Sequence, residues 1–223
     1  MNRSAATSPL ARTVTVACVG ALALTLSGCV YSAIPADEAP RPSSSAPQET
    51  AEPEGAESGV PSALTFDAGT ALPASAYIEW GDSLMADDGW EITSPDDGNG
   101  SWTHGTVDGT CTAQFWQGFT GDVDTVPGDD SASSDAILAT LLQTDPATVT
   151  AHASDGTFSY QVGGNADVDH RRLASGQDDR NWIMAARAFT ATGIGVYLLL
   201  DCTGGDVEAV FAEVVDKNPI IAY

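Results

Sequence analysis

The chain has 223 residues, with 31 acidic side chains against 8 lysines and arginines and a formal net charge of −23. Nucleic acid needs clustered cations, so a balance of this sign argues against it as a partner. A bare anionic lipid surface would repel the chain as well, which makes any membrane attachment depend on something other than charge.

In chain order the first feature is a processing segment, residues 1–28. Arg3 and Arg12 give a positive start without an acidic residue, and Thr13 to Leu26 run apolar or small. That run is too short to persist as a membrane-spanning helix. Leu26-Ser27-Gly28-Cys29 closes it. These four residues resemble the lipobox of bacterial lipoproteins at every position. The resemblance implies cleavage before Cys29, two acyl chains on its sulfur through a diacylglycerol, and a place on the extracytoplasmic face of the cell membrane. Two chains make a stable anchor where one is marginal. One lysine beside seven arginines, with abundant Ala, Asp, Gly and Thr, further suggests the GC-rich genome of an actinobacterium.

From Cys29 to about residue 60 the chain is rich in Pro, Ala, Ser and Glu and almost free of large apolar residues. Such a stretch cannot bury enough surface to offset its ordering entropy, so a disordered tether is expected, its ends about 30 Å apart. Past Cys29 the only basic residues are Arg41, Arg171, Arg172, Arg180, Arg187 and Lys217, which leaves a formal charge of about −25. Residues 61–223 are enough for one domain with a sizeable core.

Within that domain Ser75 to Asp87 reads as helix or strand, with Tyr77, Trp80 and Leu84 on one side of a helix and Gly81 against it. Trp102–Val107 and Thr110–Phe119 flank Asp108-Gly109, a dipeptide suited to a type I′ hairpin turn. A two-residue loop pairs Thr106 with Cys111, His104 with Ala113 and Trp102 with Phe115, and places all six on an inward face. Ile137, Leu138, Leu141 and Leu142 form a short helical stripe after Ser134. Phe158, Tyr160 and Val162 alternate as a strand, with Val168 to Leu173 as a candidate partner. A second hairpin joins Asn181–Thr190 to Ile194–Cys202 through Ala191-Thr192-Gly193, and Ile194, Val196, Leu198, Leu200 and Cys202 share its inner face. Val207, Val210, Phe211, Val214 and Val215 then follow helical spacing, with Thr203 as cap and Pro219 as stop.

This pattern predicts an α+β domain: an antiparallel β-sheet with helices packed on at least one face. The strand Ile194–Cys202 followed by the helix Val207–Val215 resembles the PsbP/Mog1-like domains of some small exported actinobacterial lipoproteins, and no functional residue carries over from them. Cys18 leaves with the signal and Cys29 is taken by lipid, so Cys111 and Cys202 remain. Both fall on predicted core faces, and an oxidising exterior favours a disulfide between them.

No catalytic, cofactor or metal motif stands out: G-x-S-x-G, H-E-x-x-H and G-x-x-x-x-G-K-[ST] are all missing. That lowers the case for an enzyme without removing it. His104, on the inward face, is expected to be a hydrogen-bonded structural residue, and His170, beside Arg171 and Arg172, a solvated strand residue. Asp96-Asp97-Gly98-Asn99-Gly100 has oxygen ligands for calcium but turn chemistry explains it better. The cations between Arg171 and Arg187 are expected to pair with Asp167, Asp169, Asp178 and Asp179. Trp116 points away from the cysteines, either beneath a helix or as an anchor for a sugar or protein. The leading expectation is a membrane-anchored, non-catalytic binding module of the envelope with a protein or glycan partner. An envelope hydrolase and a carrier of a lipid or small apolar ligand stand as alternatives.

Overall fold

The computed structural model describes residues 60–96, 98–161 and 166–223. The processing segment, the lipobox with Cys29, nearly all of the tether, Asp97 and Val162 lie outside the described residues. The elements run α1 (Phe66–Gly69), β1 (Ile78–Trp80), β2 (Trp90–Ser94), β3 (Ser101–Thr106), β4 (Cys111–Phe119), α2 (Asp130–Leu142), α3 (Pro146–Thr150), β5 (Ser154–Tyr160), β6 (Ala166–Gln177), β7 (Arg180–Phe189), β8 (Ile194–Thr203), α4 (Val207–Lys217) and β9 (Ile220–Ala222). The strands form one sheet in the order β1-β9-β5-β6-β7-β8-β4-β3-β2. Neighbours are antiparallel except β5 and β9, which meet in parallel at Tyr160 and Ile220.

Helices pack on a mostly antiparallel sheet, as expected, but the sheet dominates and the fold is not evidently α+β. The sheet curls, so that edge strand β1 comes back towards β4. The Trp80 amide donates to Gln117 Oε1 at 2.8 Å, and the Trp80 indole donates to the Trp116 carbonyl at 3.1 Å. Inside the curl the Trp80 ring meets Phe115 and Phe158 edge-on, with centroids 5.3 and 4.8 Å apart. Helix α4 closes this inner side with Phe211, Val214 and Val215. Helix α2 covers part of the outer face, where Ile137 and Leu138 cluster with Met184, Ala186 and Ala188 of β7.

Period-2 patterning places both hairpins as expected. Trp102 pairs with Phe115 and His104 with Ala113, while Phe189 pairs with Ile194. The row Ile194, Val196, Leu198, Leu200, Cys202 is buried throughout. The first turn differs in type. Only Gly109 adopts positive φ, at 72°, and Asp108 instead turns its carboxylate onto the Thr110 amide and hydroxyl. The Thr106 carbonyl accepts from the Gly109 amide, and a left-handed glycine after such a turn keeps the strand register.

One open reading is decided and two helix expectations are corrected. Ser75–Asp87 is not a helix: Ile78–Trp80 is a strand and Ser83–Ala86 a 3-10 turn, because β9 supplies a partner for an extended segment. Helix α2 begins well before Ser134, with Asp129 accepting from the Ala132 amide as its cap. Leu141 and Leu142 of the expected stripe are exposed, and the buried side of the helix is largely polar or small: Asp130, Ser133, Ser134, Asp135. For α4 the cap is Asp206, not Thr203, which still belongs to β8; its carboxylate accepts from the Glu208 and Ala209 amides.

Candidate functional site

Strands β4 and β8 lie side by side in register, and Cys111 stands directly opposite Cys202. The two form a disulfide. Each cysteine ends the buried row of its strand, so the bridge clamps two adjacent interior strands where the inner face meets the turns.

The cations are paired, as expected, but with other partners. Arg171 donates to Asp135 at 2.8 Å and Asp155 at 2.6 Å, Arg172 to Glu208 at 2.5 Å, and Arg180 to Asp201. The carboxylates named from sequence proximity mostly lie along the same ribbon as the arginines, whereas cross-strand and helix neighbours present the acceptors. Arg187 departs furthest from expectation because it is wholly buried. Its guanidinium donates to Asp130 at 2.9 Å and to the carbonyls of Thr65 and Asp169, and lies over the rings of Phe66 and Phe189. Burial draws its pKa down to about 10 against the opposing pull of Asp130 and Asp169, which leaves it cationic at neutral pH. Asp130 Oδ1 also accepts from the Thr190 amide and hydroxyl, so one carboxylate ties the start of α2 to the end of β7.

The histidines divide. His152 is exposed. His104 is fully buried and its Nε2 lies 3.1 Å from Asp82 Oδ1, in keeping with a structural role. With the proton placed on Nε2, the unpartnered Nδ1 is a bare acceptor, a smaller cost than an orphaned donor. His170 is not solvated: it is 1% exposed, its ring 4.1 Å from Phe158 and 6.0 Å from Phe211, and neither nitrogen has a partner among the described residues. Burial lowers its pKa from 6.5 to about 3, opposed by the Arg171 backbone and Asp155 and reinforced by nearby Arg172 and Arg187. A buried neutral histidine binds fewer protons than the unfolded chain between these two values. Stability is therefore complete above pH 6.5 and is lost as pH falls towards 3. Replacing His170 with leucine is expected to remove on the order of 3 kcal/mol of that acid-side loss, seen as a flatter Tm–pH limb below pH 6.5.

A surface cleft forms where the inner side of the curl opens. The inward row of β4 runs Cys111, Ala113, Phe115, Gln117, Phe119, from buried cysteine to a phenylalanine 82% exposed. One depression of about 410 Å³ is walled by Tyr77, Gln117, Phe119, Asp96 and residues 98–100. A second, about 340 Å³, is walled by Trp80, Asp82, Ile92 and Trp102 and shares Asp96 and Gln117 with the first. Neither lining contains a lysine or arginine.

The walls are held from behind. His104 fixes Asp82, and Gln117 is fastened by the Trp80 amide. Tyr77 stacks on Tyr223 at 6.4 Å, whose hydroxyl donates to Glu79 at 3.0 Å. Asp96 Oδ1 accepts from the amides of Gly98 and Gly100, the turn chemistry expected of this run. At Gly100, φ is 73° and a Cβ would stand 2.0 Å from the Gln117 carbonyl. Gly100→Ala is therefore expected to lift the loop off β4 and destabilise the protein by at least ~1 kcal/mol in a denaturant titration.

Trp116, on the opposite face, stacks on Tyr197 with centroids 5.4 Å apart and is half-buried rather than covered. The sequence reading missed Tyr77, Asp82, Asp96, Gln117 and Phe119 as a group. The available signal was Phe119, an apolar residue continuing the inward row beyond the point where the core ends. Among the described residues no group of three His, Cys, Asp or Glu side chains could hold a metal, and no helix is long and apolar enough to cross a membrane. No protein-family model, curated protein or solved structure matches this chain.

Proposed function

We propose that the chain is an envelope lipoprotein, tethered by lipid on Cys29 to the extracytoplasmic face of the cell membrane, whose α+β domain of residues 61–223 is a non-catalytic binding module. The cleft carries the binding reading. Exposed aromatic faces at Tyr77 and Phe119 stand beside acceptors at Asp82 and Asp96, all on walls braced by residues behind them. Exposed aromatics beside placed polar groups are the composition of a recognition surface. The Cys111–Cys202 disulfide supports export, because such bonds persist in oxidising compartments. It also leaves Cys29 as the one cysteine of the processed chain not committed to a bridge.

His104 supports the non-catalytic reading. It meets a carboxylate, but the imidazole is sealed and serves to hold Asp82 at the cleft edge. A general base must reach the proton it removes, and this ring is cut off from any bound molecule. The test is hydrogen exchange on the purified protein with and without solubilised envelope material. Protection confined to residues 77–82, 96–100 and 115–119 is expected; unchanged exchange there, or protection only on the Trp116 face, would contradict the assignment.

A further inference from the structure

We propose that the cleft binds a neutral, hydroxyl-rich saccharide. This rests on the binding-module reading and names its ligand class. Sugar rings present apolar C–H faces and polar edges together, and the cleft offers the matching pair. Phe119 and Tyr77 supply open aromatic faces, 82% and 52% exposed. Asp82, Asp96 and Gln117 supply acceptors and an amide between them. Trp102 adds an indole Nε1 that is buried and without a partner among the described residues, behind the second depression.

Charge selects within the class. Two carboxylates, no lysine or arginine in either lining, and a formal net charge of −23 repel phosphorylated, sulfated or uronic glycans. An extended peptide is disfavoured by the backbone. Of the two edge strands that line the cleft, β1 has its Trp80 amide, which a strand added there would need, already taken by Gln117 Oε1. The carboxylates are also half committed: one oxygen of Asp96 holds two backbone amides and one of Asp82 holds His104. What remains suits hydroxyl donors.

The experiment is a titration of the full chain in detergent, read by intrinsic tryptophan fluorescence and by saturation-transfer NMR. The probes are gluco-, manno-, galacto- and arabino-tetrasaccharides, with tetragalacturonate and tetralysine as charged comparators. Saturable binding of at least one neutral tetrasaccharide is expected, weakened about tenfold by Phe119→Ala and by Asp82→Asn. Val126→Ala, on an exposed loop away from the cleft, should bind as wild type. Because Phe119 is exposed, its truncation leaves the core intact, and an unchanged Tm checks this. No neutral probe binding at millimolar concentration overturns the proposal, as does preference for tetragalacturonate or binding indifferent to Phe119→Ala. Tetralysine binding that depends on Phe119 overturns the saccharide while leaving a binding module in place. Loss of the hydrogen-exchange footprint with envelope material would remove the module itself.

Discussion

Replacing Cys111 and Cys202 together by alanine is expected to destabilise the protein by about 4 kcal/mol, lowering Tm by roughly 10 °C. The bridge spans 91 residues of sequence, so its removal frees a long loop in the unfolded chain. On the folded side its sulfurs join two adjacent interior strands, β4 and β8, which remain hydrogen-bonded to one another without it. The double variant should therefore keep its native near-ultraviolet dichroism at low temperature while unfolding earlier. Reductant should lower the wild-type Tm to the same value and leave the variant unmoved. A Tm unaffected by both treatments would show that the bond contributes nothing to stability.

The second large effect lies at Arg187. Changing Asp130 to alanine is expected to cost about 3–5 kcal/mol, because it removes the one carboxylate hydrogen-bonded to a buried guanidinium and leaves it backbone carbonyls, two aromatic rings and the more distant charge of Asp169. Asp130 also holds Thr190 and the first turn of α2, so the loss should spread to the β7–β8 turn. Pairing Asp130→Ala with Arg187→Met is expected to recover part of the loss, since no unpaired charge then remains. Denaturant titration of the single and double variants measures this coupling. Additive losses in the double variant would mean that the two side chains do not act as a pair.

How much of this was legible in the sequence depends on how each residue signals its surroundings. The alternation in Thr110–Phe119 and Ile194–Cys202 reports a face buried on one side, so strands, register and inward rows could be read directly. That β4 and β8 are neighbours could not, because no turn joins them; the two cysteines, each on a core face, were the only hint. Helix α2 is poorly marked, since its buried side holds serines and aspartates that bond to β7, and such residues read as solvent-facing. Arg187 misled for the same reason: its carboxylate is 57 positions away in sequence and comes with the helix. His170 looked solvated beside two arginines, yet strand alternation turns it inward with Val168, onto Phe158. The cleft was hidden because it is assembled from β1, Asp96 and residues 98–100, and the end of β4, which meet only once the sheet curls.

The reading as a tethered envelope protein stands or falls on the fate of Cys29. The most direct measurement is the intact mass of the protein extracted from membranes of the producing cell, before and after reduction. The expected chain begins at Cys29, carries a diacylglycerol on that sulfur, and gains the mass of two hydrogen atoms when the Cys111–Cys202 bond is reduced. A soluble chain that retains residues 1–28, or one that begins elsewhere without lipid, would contradict it.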